Sequence, residues 1–342
     1  MVNECSSTRF ISSSSSSSNL YVANCGPYVG ISLDQIQLAF SKFGEVKSVC
    51  AADQSGARVV VSFSQESSAK AALEAFDGKP CPYLSGRILH IRYSSILQTS
   101  SPSSQVNGFL SVSLEASELQ IPGIYLLKDF VSSEEEEELL SAVDCRLWKN
   151  LAKRRVQHYG YEFMYETRNV NTKHCLGELP SFLSPILKKI SSFPNITDTG
   201  SIIIDQLTVN EYPPGVGLSP HIDTHSAFEG FIFSLSLAGP CIMEFRKYSK
   251  GSWLPPAIQS TVTRGENPEV IRKALFLPPR SMLLLSGEAR YAWHHYIPHH
   301  KGDAVRGDFI KRASRRVSFT FRKVRNGPCC CEFSQYCDSQ SD

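Results

Sequence analysis

The spacing of apolar and polar positions divides the chain into stretches of different texture. Between residues 19 and 94 the order is strand, helix, strand, strand, helix, strand. Residues 20–25, 46–51, 58–63 and 87–93 are predicted strands, and 32–43 and 67–76 predicted helices. Ser32 can cap the first helix with Gln35 three residues on, and Gly78 closes the second. The serine run at 12–18 cannot bury enough apolar surface to order itself, so 1–18 is expected to be a disordered tail. A polar, Ser-rich stretch over 95–119 reads as a linker. Beyond Ile121 a helix is predicted over 132–143, with the acidic residues of 134–138 favourably placed in its first turns. Short strands separated by Gly and Pro follow at 162–165, 202–212, 231–237, 242–245, 282–285 and 317–321. That density favours a sandwich or jelly roll, and no internal repeat is visible.

The 342 residues suffice for two domains, each with its own core, and the mix of 42% hydrophobic and 20% charged residues is ordinary for a soluble protein. A net charge of +2 gives no whole-molecule argument for nucleic acid, so such an argument must rest on local basic patches. No apolar run approaches the roughly 20 residues of a membrane span, and the N-terminus lacks the apolar core of a secretory signal. Arg9 among serines has the flavour of a transit peptide, but Glu4 and the missing amphipathic pattern favour a plain tail. Of 11 cysteines, those at 5, 25, 50, 81, 145, 175 and 241 are scattered, as expected for reduced thiols in the cytoplasm and nucleus. The rest crowd into 329–337.

The chemistry concentrates in a few pairs. In extended chain, residues two apart point the same way, so His221 and Asp223 project together. A third ligand from Trp293-His294-His295 completes a two-histidine, one-carboxylate face with open positions, the pattern of non-haem iron oxygenases. On chemistry alone His294 and His295 are both candidates. Strand alternation puts Arg316, Ser318, Thr320 and Arg322 on one face and Val317, Phe319 and Phe321 on the other. Two guanidiniums on such a face call for anions, and a dicarboxylate suits them. Asn210 and Tyr212 offer an amide and a phenol by the same logic.

Asn210-Glu-Tyr212, His221-Ile-Asp223, Trp293-His-His295 and the Arg316/Arg322 pair together resemble the AlkB-like iron(II)- and 2-oxoglutarate-dependent dioxygenases, over about 120–325. The resemblance implies a double-stranded β-helix (jelly-roll) domain over 120–327, with iron on His221, Asp223 and His295. It also implies 2-oxoglutarate held by Arg316 at its distal carboxylate and by Arg322 at its chelating end, with help from Asn210 and Tyr212. The reaction so implied couples oxidative decarboxylation of 2-oxoglutarate to succinate with hydroxylation of a substrate C–H; the metal supplies the chemistry and the protein the geometry.

Cys329, Cys331 and Cys337, with His225, could form a closed tetrahedral zinc site, although spacing alone leaves Cys330 equal to its neighbours. His-Ile-Asp-Thr-His with a C-terminal Cys-x-Cys-x5-Cys resembles the eighth-homologue branch of the animal AlkB family, tRNA wobble-uridine hydroxylases, and this implies zinc on His225, Cys329, Cys331 and Cys337 in a tail over 328–342. The 19–94 pattern resembles an RNA-recognition motif, a ferredoxin-like βαββαβ fold, making the whole chain α+β. Tyr21 stands where a base could stack; Arg58 and Val60 occupy positions usually aromatic, which weakens readout, though Arg58 can still stack or bind phosphate, so Tyr21 and Arg58 are candidate contacts. Lys149, Lys153, Arg154, Arg155 and His158 flank Tyr159, Tyr161 and Phe163, and with Lys311, Arg312 and Arg315 they suit a nucleotide-binding lid; Arg154, Arg155 and Tyr161 are the candidate contacts. Lys323 and Arg325 read as solvent-facing or structural.

The branch implies hydroxylation of 5-methoxycarbonylmethyluridine at the tRNA wobble position. Because the sequence stops at Asp342, after the cysteines, a separate tRNA methyltransferase is the expected supplier of that ester. The protein is expected to be a monomer with no membrane association. The alternatives are oxidative N-demethylation of RNA or DNA bases, and a non-catalytic RNA-binding adaptor.

Overall fold

A computed structural model describes residues 10–12, 16–52, 56–96, 110–194, 196, 202–248, 270–306 and 308–340. Two compact units divide the chain: residues 1–111 with 300–311, and residues 112–299 with 312–342.

In the first unit the order of elements is βαββαβ, and the antiparallel sheet runs His90–Ile96, Asn19–Ala23, Arg58–Phe63, Val46–Ala51. Ser32 and Gln35 form the predicted capping box at the start of the helix Leu33–Phe40. Ile36, Ala39 and Phe40 from that helix, and Ala69, Ala72 and Phe76 from Glu66–Phe76, pack on Leu20, Val22, Val59, Val61 and Ile91. Period-two alternation leaves Tyr21 on the opposite face, in register with Val60 and Arg92.

Three boundaries differ from expectation. Part of the predicted disordered tail, Phe10–Ser12, pairs antiparallel with residues 94–96, because the outer edge of His90–Ile96 offers it free backbone donors and acceptors; residues 1–9 and 13–15 lie outside the described residues. The predicted linker lies outside them at 97–109, but its last part is ordered. Val112–Ser113 pairs with Val270–Leu277, and Ala116 and Leu119 are buried, so the second unit begins eight residues before position 120. Their few apolar side chains were hidden among serines. Finally, the hairpin of Gly302–Val305 and Asp308–Lys311 groups with the first unit, interrupting the expected continuous domain. Phe309 meets Tyr28 edge-on at 5.4 Å, and lies so close over Gly56 that a Cβ there would come within 2.7 Å of its ring. Among the scattered cysteines, Cys25, Cys81, Cys145, Cys175 and Cys241 are free thiols. Cys50 is an exception to the expected reduced state, being disulfide-bonded, a pairing that sequence spacing does not disclose.

The second unit is a sheet-rich, jelly-roll-like oxygenase fold. Its seven-stranded sheet runs Lys149–Asn150, Arg155–Tyr159, Gln206–Tyr212, Arg316–Arg322, Ile232–Leu237, Ser281–Leu285, Ile124–Leu127. A five-stranded sheet runs Leu218–His221, His294–Ile297, Cys241–Tyr248, Val270–Leu277, Val112–Ser113. Ile232, Leu283 and Leu285 of the larger sheet meet Met243, Phe245, Leu275 and Ile297 of the smaller in one core. The outer face of the larger sheet, with Leu207, Val209, Phe233, Val317, Phe319 and Phe321, is covered by Leu139 and Val143 of the helix Ser133–Asp144 and by Ile186 and Ile190 of Ser184–Ser191. The predicted alternation in 316–322 is therefore realised. Its apolar face is locked under helices, and its polar face looks into the roll.

Candidate active site

A cavity of about 700 Å³ opens in the second unit, lined by Thr208, Asn210, Tyr212, His221, Asp223, His295, Arg316 and Arg322, with Arg154, Phe163, Tyr165 and Arg168 at the lid. His221 and His295 are cross-strand partners with ring centroids 4.3 Å apart. Asp223 follows where the strand gives way to loop, and one ligand atom from each of the three lies within 4.8 Å of the others. The structure thus separates the two candidate histidines. His295 joins the set; His294, its neighbour on an alternating strand, faces away and meets Tyr248 edge-on.

Electrostatics prepares these groups for a cation. The Nδ1 of His221 lies 2.8 Å from the Ser219 carbonyl oxygen, a contact that leaves Nε2 for a metal when Nδ1 carries the proton. Burial pushes both imidazoles down, His295 to about 3, so both are neutral ligands at neutral pH. Burial works the other way on Asp223, yet the Arg322 guanidinium beside it holds its carboxyl well below the usual carboxylate range. Arg322 donates to both carboxylate oxygens of Asp223 at 3.3 and 3.2 Å and from Nη1 to Gln206 and Thr208. Arg316 differs. Its Nη2 reaches Ser236 at 2.9 Å, whereas Nε and Nη1 are buried with no hydrogen-bond partner among the described residues. An unpaired guanidinium edge of this kind is expensive in a buried cavity and fits a carboxylate. Asn210 accepts from Arg154 Nε at 3.0 Å, and the Arg154 and Arg316 guanidiniums lie 6.0 and 5.5 Å from the centre of the Tyr212 ring.

Two residues beyond Asp223, His225 enters a second cluster with Cys329, Cys331 and Cys337, whose ligand atoms also lie within 4.8 Å of one another. Three thiols and an imidazole packed this closely fit a tetrahedral zinc ion. Cys329 and Cys337 are buried and Cys331 partly so, while Cys330 is exposed; the fold separates what spacing could not. Burial pushes the Cys331 thiol up, and Cys329 and Cys337 add to this, so a bound cation is what would favour its thiolate. Asp338 fastens the loop to the tail, accepting from the His225 and Ser226 amides at 2.8 and 3.2 Å.

Sequence reasoning missed Arg290. It is only 2% exposed, and its guanidinium donates to the carbonyls of Asp223, Thr224, Phe228 and Glu229. One buried cation thus braces the loop that carries both clusters, and a lone arginine in a short helix gives no local signal of that task.

The candidate nucleic-acid contacts are dispersed. Tyr21 is half-buried and Arg58 exposed on the first unit's sheet. Arg154 lines the cavity lid. Arg155 is committed to a two-pronged pair with Glu211 and lies over Trp148, which removes it from the free basic lid. Tyr161 is half-buried against the core between the sheets. Lys149 and Arg315 likewise pair with Glu162 and Asp144. Lys323 pairs with Glu229, and Arg325 donates to the His225 carbonyl at 2.9 Å, the structural roles expected of them.

A jelly roll that gathers two imidazoles and a carboxylate beneath an unpaired guanidinium defines an oxygenase of the 2-oxoglutarate type. Residues 123–322 match the 2OG-Fe(II) oxygenase superfamily, and the chain belongs to that family, whose members use iron(II) and 2-oxoglutarate. Over 336 residues it is 64% identical to the Arabidopsis thaliana "Alkylated DNA repair protein ALKBH8 homolog", spanning 98% of this chain and 96% of that one. It is 35% identical to the Xenopus tropicalis "tRNA (carboxymethyluridine(34)-5-O)-methyltransferase alkbh8" over 95% of this chain, but spans only 49% of that protein's length. The human "Alpha-ketoglutarate-dependent dioxygenase alkB homolog 4" is 30% identical over 59% of this chain and 67% of its own.

Proposed function

We propose that this protein hydroxylates the side-chain methylene of 5-methoxycarbonylmethyluridine at the wobble position of tRNA, using iron(II) and 2-oxoglutarate. The observation that carries the chemistry is the pairing of the His221–Asp223–His295 set with the unpartnered Arg316 edge across one cavity. The substrate rests on the relatives, since the Xenopus protein is named for a modified uridine at tRNA position 34.

In this reading His221, Asp223 and His295 hold iron, which supplies oxygen activation when bound. Arg316 anchors the far carboxylate of 2-oxoglutarate, with the Tyr212 ring beside it. Arg322 keeps Asp223 ionised and oriented and borders the other end of the co-substrate. The overall change is balanced: 2-oxoglutarate, oxygen and a substrate C–H become succinate, carbon dioxide and C–OH. Phe163, stacked 5.8 Å from Phe228, and Tyr165 wall the cavity, excluding water and offering flat apolar surface to a base. The first unit is read as an RNA-recognition motif of weak readout, with Tyr21 to stack a base and Arg58 to stack or hold a phosphate. His225, Cys329, Cys331 and Cys337 hold structural zinc, and a separate methyltransferase supplies the ester to a monomeric enzyme.

The test is nucleoside mass spectrometry of tRNA from cells lacking the protein, which should lose the hydroxylated wobble nucleoside and accumulate its precursor. An unchanged nucleoside profile would end the reading. A second reading, oxidative N-demethylation, is favoured by the repair name of the Arabidopsis relative. It predicts formaldehyde release from methylated oligonucleotides, which hydroxylation of the wobble side chain does not give.

A further inference from the structure

His294 is the one candidate ligand that the active site leaves unused. Its ring borders a second polar groove of about 440 Å³, on the far side of the loop that carries His221 and Asp223. Arg168, Pro220, His221, Ile222 and Thr224 line both this groove and the main cavity, so one loop forms a shared wall. The groove also receives Thr167, Asn169, Ser226 and Gln335.

Two groups on residues that line it have no partner among the described residues. The Nδ1 of His294 is buried with no hydrogen-bond partner among the described residues, and the residue is 8% exposed. An unsatisfied buried nitrogen is costly unless something in the groove completes it. The Arg168 guanidinium at the shared wall, on an exposed residue, has no ion pair among the described residues. Its backbone is held there: φ is +53°, and its carbonyl accepts from Thr224 Oγ1 at 2.7 Å. A left-handed arginine fastened to the ligand-bearing loop, beside hydroxyls, amides and an unpaired imidazole, matches a sugar-phosphate: an anion for the guanidinium and ribose hydroxyls for the neutral donors and acceptors.

We infer that this groove seats the ribose-phosphate of the nucleotide adjacent to the one being oxidised, with Arg168 on the phosphate and the His294 side chain bordering the ribose. The inference deepens the proposed function and rests on RNA being the substrate, but not on which base modification is attacked. It explains how a flat aromatic lid could take a base while the strand continues past the metal ligands without entering the cavity.

The test uses the full chain with iron(II) and 2-oxoglutarate, and an unmodified single-stranded anticodon-loop RNA as probe, read by direct binding. Arg168→Gln should weaken binding about fivefold and flatten the slope of log affinity against log salt by about 0.7, the value for one lost phosphate contact on single strands. Lys188→Gln, which removes an exposed charge on the helix layer of the opposite sheet face, should do neither. His294→Leu should weaken binding about threefold, and His294→Gln, which keeps a hydrogen-bonding group, should restore most of it. Equal effects from Arg168→Gln and Lys188→Gln, or an unchanged salt slope in Arg168→Gln, would overturn the groove assignment. Because Arg168 is exposed, a folding defect does not confuse that result. If RNA binding responds as expected while wobble nucleosides are untouched, the groove stands and the substrate assignment falls. If wobble nucleosides are oxidised with unaltered kinetics in Arg168→Gln, the reverse holds.

Discussion

Asp223 and His225 are two residues apart, yet they serve clusters of opposite character. The cluster of His221, Asp223 and His295 lies open to a large cavity and has three donors, leaving coordination positions for reactants. The cluster of His225, Cys329, Cys331 and Cys337 has four donors, mostly sulfur and mostly buried, and suits an ion that only holds chain together. The difference teaches that donor count and closure, not position in the sequence, divide reactive from structural metal chemistry. A single loop can contribute to both clusters because the strand before it and the tail beyond it supply different partners.

The sharpest way to separate the clusters is Asp223→Ala. Succinate formation should fall more than about 100-fold, exceeding the usual effect of losing an outer partner of a metal ligand, while zinc measured by elemental analysis stays unchanged. Loss of zinc in that variant would mean the clusters are not separable. Cys331→Ala is the converse. It should lose its zinc and lower the thermal midpoint by roughly 5–10 °C, from about 2–3 kcal/mol at roughly 2–4 °C per kcal/mol, with a smaller drop in activity; Cys330→Ala should change neither. Arg290→Met tests the shared brace. Four carbonyls lose their donor, so iron affinity should fall about 10–100-fold and zinc should become easier to extract with chelator. Arg316→Lys leaves both metals alone and removes only the two-pronged grip, raising the KM for 2-oxoglutarate about tenfold, or roughly 1.4 kcal/mol.

The smallest effect concerns His158, a half-buried residue of the strand Arg155–Tyr159 outside both clusters. Burial lowers its pKa from 6.5 to about 4. The unfolded chain therefore takes up a proton first as the solution is acidified, and stability falls between pH 6.5 and pH 4. Denaturation curves of His158→Gln should lose less stability across that window than the parent; equal losses would remove His158 from the account.

What the sequence disclosed was whatever a local period could carry. Alternation over 316–322 placed both pocket arginines, and the i, i+2 rule paired His221 with Asp223, because strand geometry is set by neighbouring residues. The fourfold brace of Arg290 was invisible, since its partners lie over 60 residues upstream. Arg155 and Arg315 looked like a free basic patch for a related reason. Glu211 and Asp144, which neutralise them, are brought in by sheet pairing and helix packing. The hairpin at 302–311 and the ordered start at Val112 escaped because short, weakly apolar stretches give little signal until a sheet or a ring such as Phe309 receives them.

Of the inward-facing residues of the strand Arg316–Arg322, Ser318 and Thr320 have both neighbours packed beneath helices, and Arg316 and Arg322 have one each, Val317 and Phe321. Shifting the backbone of this strand would therefore disturb the apolar layer that Val317, Phe319 and Phe321 share with the helices. The lid hairpin of Tyr161–Met164 and Asn169–Cys175 pairs instead as a two-stranded sheet of its own. The consequence is a division of freedom: the strand that lines the cavity floor is tied into the apolar layer, while the hairpin at its rim can be altered with little penalty to folding.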